Sequence, residues 1–172
     1  MISMTRNRFL RTFGLGAVAT FSAGRAWGTP RSEDARAVAR PIKIKDVEIY
    51  YSDIALTETF VVALGAVTNA NGVIIRILTD SGIIGIGEAS PIQVITGETQ
   101  GTNIDVAQSL RQALVGRDPL AIESLNTLAG AYVHSNPSIV GAFDMALYDI
   151  LGKAAGLPVF RLLGGDKTSF ET

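Results

Sequence analysis

Residues Val73–Pro91 contain the strongest structural pattern in the chain, VIIRILTDSGIIGIGEASP. Two apolar runs flank the polar sequence Thr79–Gly82, whose glycine suits a backbone with positive φ, and the stretch therefore predicts a β-hairpin. The first run is rich in β-branched residues, which is typical of a central strand. In the second run, Gly85 and Gly87 alternate with isoleucine. Because glycines two apart leave one strand face without side chains, we expect another backbone or a helix to lie close to it.

The segments before the hairpin carry weaker patterns. Apolar and polar residues alternate over Ile42–Tyr50, which predicts a half-buried strand. Asp53–Asn71 contains the apolar residues Phe60–Val62 and Leu64 before the turn-prone Asn69–Gly72, and we interpret it as a loop with some extended character. Together with the hairpin, these segments predict three strands in an antiparallel arrangement.

Three helices are predicted after the hairpin, each with its own boundary residues. Ile104–Val115 has a periodic apolar face and ends at Gly116. Asp118 and Pro119 predict the start of a second helix, with Leu120, Leu125 and Leu128 facing inward. Ser138–Ala155 is apolar almost all round, so it is expected to be the most buried helix. The predicted fold class is α+β, a three-stranded antiparallel sheet followed by a helical bundle.

The first forty residues differ from the rest. Arginines precede an apolar run, Phe13–Ala23, that is too short to span a bilayer, and small residues follow up to Gly28. This order predicts an export signal over residues 1–28, resembling the twin-arginine type although Asn7 replaces the second arginine. The alternative is a buried N-terminal helix. Residues 29–40 are polar and aperiodic and predict a linker, and export predicts a periplasmic protein.

Composition excludes several classes of partner and chemistry. The formal charge is −1, and removal of residues 1–28 with their four arginines and no acids changes it to −5. A mildly acidic domain argues against nucleic acid as a partner. The sequence has no cysteine, which excludes thiolate metal sites and thiol nucleophiles. No apolar run is long enough to predict an integral membrane segment.

The individual acidic and basic residues do not predict a catalytic centre. Asp144 and Asp149 lie five apart on one helix, a spacing that does not converge on one metal, and we interpret them as structural, with Lys153 as a partner. Glu88 at the end of a strand is the best single acid, yet no partner lies near it in sequence. His134, the only histidine, is interpreted as a surface or capping residue. Gly82–Gly87 lies inside a strand and is not a phosphate-binding loop.

Residues Ser138–Gly165 resemble the sequence motif of the mandelate racemase and muconate lactonizing branch of the enolase superfamily. The hairpin residues Asp80–Gly82 and Gly85–Ala89 resemble the same branch, and the resemblance extends from Ile42 to the end of the chain. Within the branch, Pro91 and Val94–Glu98, together with the ending Ser169–Thr172, look most like the dipeptide epimerases. The positions in the final helices that match the motif are Asp144, Ala146, Asp149, Gly152, Lys153, Pro158, Leu162 and Gly164.

The resemblance implies a domain plan and a chemistry. Residues 41–165 are expected to form an enolase-like N-terminal capping domain, and residues 166–172 to begin a TIM barrel that is truncated here. In the family, Mg²⁺ on three barrel carboxylates stabilises an enolate while two barrel lysines move the α-proton. No catalytic or metal residue is therefore expected in this chain, which is predicted to be inactive by itself and to need no cofactor, with Mg²⁺ required in the complete enzyme.

The resemblance also implies which residues contact the substrate. The capping loops correspond to Thr57–Thr68 and Pro91–Gly97. Phe60 and Ile95 match positions that line the substrate pocket, and Thr96 lies in the same loop as Ile95. Gly65 stands where glutamate-directed epimerases carry an arginine, which argues against an Ala-Glu substrate.

The predicted function is that of a substrate-capping domain of a dipeptide epimerase, an isomerase that inverts the α-carbon of a dipeptide with Mg²⁺. Two alternatives remain open: the cap of a muconate cycloisomerase or o-succinylbenzoate synthase, and a non-catalytic exported binding module. The expected partners are a small dipeptide, the barrel domain and a second copy of the chain.

The export hypothesis predicts that residues up to about Gly28 are removed from the protein in the cell. Mass spectrometry of periplasmic material is expected to find a chain that begins near residue 29. An intact chain from Met1 to Thr172 in that fraction would contradict the prediction.

Overall fold

The computed structural model describes residues 41–169 and 171 and contains one antiparallel sheet with helices on one face. The sheet has three antiparallel strands, as the sequence predicts, and their order is β1-β2-β3. No helix within the described part of the chain combines the length and apolar content needed to cross a bilayer. The elements are β1 (Ile44–Val62), β2 (Gly65–Thr79), β3 (Ile84–Ala89), α1 (Gln93–Thr96), α2 (Gln100–Leu114), α3 (Ile122–Tyr132), α4 (Pro137–Ala155) and α5 (Val159–Leu162).

The β2–β3 hairpin forms at the predicted position. Its paired residues run from Val73 opposite Ala89 to Leu78 opposite Ile84. Gly82 adopts φ of 84° in the turn, a value that glycine reaches without the clash a Cβ would cause. The Thr79 hydroxyl closes the turn by donating to the carbonyl of Ile83 at 2.7 Å.

The prediction of a loop over residues 53–71 is wrong, because these residues continue β1 and β2 as paired strands. Pairing extends to Val62 opposite Gly65. Most side chains of this extension are exposed on both faces, so no apolar alternation marks it in the sequence. Backbone pairing with the neighbouring strand creates these strands, and a single-sequence pattern does not contain that information.

Helix α4 packs directly on β3, as the bare glycine face predicts. A Cβ on Gly85 would overlap the backbone carbonyl oxygen of Ala146, and one on Gly87 would overlap that of Ala142. Seven residues of α4 are buried, the largest being Phe143. This confirms the prediction that the third long helix is the most buried one.

Side chains of α4 also cover the free edge of β3. Asp149 Oδ2 accepts the Ile86 N–H at 2.9 Å, and Lys153 Nζ donates to the Ile84 carbonyl at 2.7 Å. The two side chains pair with each other at 2.7 Å. They therefore have the predicted structural role, and they occupy backbone groups that would otherwise be open to another strand. Asp144 likewise accepts from the Asn126 side-chain amide, at 2.5 Å.

Two predicted helix starts differ from those observed. Helix α2 begins earlier, at Gln100, because Thr99 and Thr102 form a reciprocal capping box. Helix α3 begins later, at Ile122, because the Asp118 carboxylate accepts the Leu120 N–H at 2.8 Å and holds a separate turn. Leu120 consequently lies at the surface, and its predicted inward position is wrong.

The glycine contact predicts a large stability loss on adding one methyl group. Gly87→Ala is expected to lower the free energy of unfolding by about 3 kcal/mol or more, because neither backbone can retreat without disrupting the sheet or helix. Gly130→Ala is the control, because Gly130 lies in α3 and a Cβ added there would meet no atom within 4 Å. It is expected to raise stability by about 1 kcal/mol. Urea unfolding of both variants checks this, and equal effects would contradict it.

Candidate functional site

A concave surface of about 730 Å³ lies between the outer part of the β1–β2 hairpin and the chain that follows β3. We call residues 53–71 the distal hairpin and residues 90–99 the connecting segment. The distal hairpin contributes most of the lining, and Pro91–Val94 contribute the opposite wall. The two segments that the resemblance identified as capping loops therefore border one surface. The larger apolar side chains of the lining are Ile54, Leu56, Phe60, Val67, Pro91, Ile92 and Val94.

An irregularity in β1 shapes the distal hairpin. Ala55 pairs with Asn69 and Phe60 pairs with Val67, so four residues on β1, Leu56–Thr59, lie opposite one residue on β2. Extra residues on one strand bend and twist a ribbon locally. Leu56–Thr59 all line the concave surface, so the bulge supplies part of its wall.

The predicted substrate-contacting residues fall into two groups. Phe60 and Gly65 line the concave surface, and the Phe60 side chain is 56% exposed. Ile95 and Thr96 lie in α1 just beyond the lining residues. Ile95 is exposed, and the Thr96 hydroxyl donates to the Ile92 carbonyl at 3.4 Å. The structure thus brings all four into the two segments that border the surface, with Phe60 and Gly65 directly on it.

The charged residues in the lining are all acidic. Glu58 and Glu88 are its ionisable residues, and neither lysine nor arginine is among them. Within the described residues Glu88 has no hydrogen-bond or ion-pair partner, although its Oε1 lies over the backbone of Gly72. The surface is therefore apolar with negative charge at its border, and it offers no cation to an anionic group.

Glu98 is a structural carboxylate whose role sequence reasoning missed. Its side chain is 1% exposed, and both carboxylate oxygens accept the Ser138 N–H, at 3.1 and 3.2 Å. Ser138 is in the first turn of α4, whose N-cap residue Asn136 makes no side-chain cap. A carboxylate there satisfies a free N–H and interacts favourably with the helix dipole. The cap comes from 40 residues earlier in the chain, so no local sequence pattern reveals it.

A second groove, of about 870 Å³, lies between β1 and α2. Its main charges already pair with each other, since Arg111 Nε donates to Asp46 Oδ1 at 2.8 Å and Arg111 Nη2 to Oδ2 at 3.0 Å. The Val47 N–H and the Arg111 guanidinium hold the pKa of Asp46 below its usual value. Because that pKa is depressed, the pair stabilises the fold above the ordinary aspartate pKa, and the contribution disappears as the pH falls.

Comparison with known proteins gives the family. Residues 45–164 match the model of the mandelate racemase / muconate lactonizing enzyme N-terminal domain. The chain belongs to this family. It is similar to the D-Ala-D/L-Ala epimerase of Cytophaga hutchinsonii, with 45% identity over 72% of this chain and 34% of that protein. It is also similar to the hydrophobic dipeptide epimerase of Enterococcus faecalis, with 38% identity over 72% of this chain and 35% of that protein.

A solved structure agrees with the family assignment. The dipeptide epimerase of C. hutchinsonii, complexed with Mg and the dipeptide D-Ala-L-Val, superposes with a TM-score of 0.72 at 44% identity, over 74% of this chain and 34% of that one. The chain thus spans about a third of the length of these mandelate racemase / muconate lactonizing enzyme relatives. The resemblance noted in the sequence is confirmed, as is the enolase-superfamily capping fold.

The described residues of this family member do not form a magnesium site of their own. Within residues 41–169 and 171, no three histidine or acidic side chains converge. Mg²⁺ requires near-octahedral coordination by oxygen atoms, with carboxylates as the usual protein ligands. Asp144 and Asp149 each have a side-chain partner, and Glu98 caps α4, so these carboxylates serve the fold.

The buried carboxylate predicts a clear stability difference between two glutamates of this domain. Glu98→Ala is expected to lower the free energy of unfolding by about 2 kcal/mol, since it removes a charged acceptor and leaves the Ser138 N–H unpaired. Glu98→Gln, which keeps one acceptor, is expected to lose less. Glu88→Ala is the control and is expected to change stability by less than about 0.5 kcal/mol. Chemical denaturation measures all three, and equal losses at Glu88 and Glu98 would refute the capping role.

Proposed function

We propose that this chain is the substrate-enclosing N-terminal domain of a dipeptide epimerase that prefers apolar dipeptides. The observation that carries the proposal is the concave surface, because both capping segments border it and its lining offers apolar groups without a cation. Similarity to epimerases that act on Ala-Ala and on hydrophobic dipeptides supports this substrate class. The proton transfer and the Mg²⁺ site belong, in this proposal, to a barrel domain outside the described residues.

The domain contributes binding and water exclusion to this reaction. The exposed Phe60 ring on the distal hairpin and Val94 on the connecting segment present apolar surface to a bound side chain. If a bound substrate buries one such side chain completely, the burial stabilises the complex by about 1.5–3 kcal/mol. Exposed Leu157 and Leu163 near the C-terminal end offer an apolar surface against which the barrel domain can pack.

Charge accounts for discrimination against acidic dipeptides. A substrate side-chain carboxylate enclosed by Phe60 and Gly65 would lose water without gaining a cation, and Glu58 and Glu88 would repel it. An unpaired buried polar group costs on the order of a few kcal/mol, and a charged one costs more. Apolar dipeptides avoid this cost, and we therefore infer that they are the better substrates.

We further propose that the complete protein is exported, on the basis of the order of basic, apolar and small residues in positions 1–28. Those residues lie outside the described part of the chain, and the mass spectrometry given above is the test.

A hybrid enzyme tests the substrate preference. Residues 41–165 replace the corresponding segment of the C. hutchinsonii epimerase, to which this chain is 45% identical. The hybrid is expected to have a higher kcat/KM for L-Ala-L-Ala than for L-Ala-L-Glu. Gly65→Arg in the hybrid is expected to shift this ratio toward the acidic dipeptide by about tenfold, the effect of one charged hydrogen bond.

The control for this variant is Gly65→Ala. Gly65 has φ of 154°, so any side chain there strains the backbone, and alanine adds that strain without a charge. If the ratio of kcat/KM values shifts with arginine but not with alanine, the effect comes from the charge of the arginine. An unmodified hybrid that prefers L-Ala-L-Glu would show that another residue supplies a cation and would overturn the proposed preference.

A further inference from the structure

The distal hairpin leaves the body of the domain at one pair of residues. Val73 opposite Ala89 is the last pair between β2 and β3, and Ser52 opposite Gly72 is the next pair outward between β1 and β2. Beyond that point the sheet has only two strands. A two-stranded ribbon is marginally stable by itself in water, so its position depends on contacts at its root.

The Gln100 side chain makes those contacts from the N-terminal residue of α2. Its Nε2 lies 3.1 Å from the Ser52 carbonyl oxygen, 3.0 Å from the Gly72 carbonyl oxygen and 3.1 Å from Asp53 Oδ1. The two carbonyls and the ionised carboxylate all accept hydrogen bonds and none donates. The amide nitrogen, and not its oxygen, must therefore face them. One donor group thus holds both strands at the root.

Two side chains lie close to the backbone of the root at Gly72. A Cβ on Gly72 would lie 2.9 Å from Ser52 Oγ and 3.1 Å from Glu88 Oε1. Gly72 is buried, and glycine allows these side chains to come close to its backbone. Glycine at position 72 thus leaves room for the Ser52 and Glu88 side chains, while the hydrogen bonds that fix the root come from the Gln100 amide.

The backbone that carries Gln100 is itself anchored. Thr99 accepts the Thr102 N–H at 3.1 Å, and Thr102 Oγ1 accepts the Thr99 N–H at 2.9 Å. The preceding residue, Glu98, is bound to the start of α4. Gln100 thus projects from the junction where the connecting segment meets α2. The connecting segment forms one wall of the concave surface, and the distal hairpin forms the other.

We propose that Gln100 is a positioning residue that sets the spacing between the two walls of the concave surface. Its amide joins the root of the distal hairpin to the end of the connecting segment, over separations of 28 to 48 residues. The inference concerns the geometry of the surface and does not depend on which reaction the protein serves, so its test is independent of the hybrid-enzyme experiment.

Three substitutions at this position separate hydrogen-bond donation from bulk. Gln100→Leu keeps the approximate size and removes the donors. Gln100→Glu places a carboxylate against three oxygen acceptors, one of them on Asp53, and repels them. Gln100→Lys supplies three donors and no acceptor, so it restores the attachment. Gln108→Leu is the matched control, because Gln108 is exposed on the same helix and makes no hydrogen bond with any described residue.

Spin labels measure the spacing between the walls directly. The chain has no cysteine, so Leu64→Cys in the turn of the distal hairpin and Val94→Cys on the connecting segment carry the only labels. Both side chains are exposed. In the full chain, the label–label distance distribution is expected to broaden with Gln100→Leu and Gln100→Glu. It is expected to stay as in the parent with Gln100→Lys and Gln108→Leu.

Hydrogen exchange on the unlabelled chain distinguishes positioning from general destabilisation. Amides of residues 53–71 are expected to exchange about fivefold to tenfold faster in Gln100→Leu, the effect of losing one net hydrogen bond. Amides of 73–79 in the core of β2 are expected to keep their rates. The proposal is overturned if Gln100→Leu leaves the distances and rates of 53–71 unchanged. It is equally overturned if both ranges accelerate together, or if Gln100→Lys behaves like Gln100→Leu.

Discussion

The close approach of α4 to β3 is the constraint on which the rest of the domain depends. The carbonyl oxygens of Ala142 and Ala146 occupy the space where Gly87 and Gly85 would carry side chains. Because two backbones are in direct contact, no space remains between α4 and β3 for even one methyl group. The contact therefore fixes the position and rotation of α4 on the sheet. The side chains that cover the β3 edge, Asp149 and Lys153, reach their acceptors and donors only because α4 lies at this depth.

Contacts at the N-terminus of α4 connect this helix to the candidate site. Glu98 binds the first turn of α4, and this contact places the end of the connecting segment. Gln100 follows two residues later and contacts both strands at the root of the distal hairpin. A continuous set of contacts therefore runs from the glycine face of β3 to the concave surface. Substitutions along this set of contacts are therefore expected to change the shape of the concave surface.

The character of the surface follows from which side chains the two segments present. The distal hairpin and the connecting segment are mostly exposed, and their apolar residues, such as Phe60 and Val94, have no partner within the core cluster. Exposed apolar groups around a concave surface are typical of binding sites. Their presence on the two segments that border the surface fits a family whose members differ in the dipeptides they accept, as the names of the relatives show.

The sequence by itself determined the local and periodic features of this protein. The β2–β3 hairpin, the buried α4 and the close glycine contact follow from turn residues, apolar periodicity and the missing Cβ atoms of Gly85 and Gly87, because these signals lie within a few residues of one another. The family also follows from the sequence, through the motif at Ser138–Gly165. Tertiary structure alone decided that residues 53–71 are strands, since their order comes from pairing and not from burial. Only the tertiary structure revealed the contacts of Glu98 and Gln100, because each side chain binds backbone groups at least 28 residues away. Hydrogen bonds between distant segments leave no periodic trace in one sequence, so the candidate site could be located from the chain but its geometry could not.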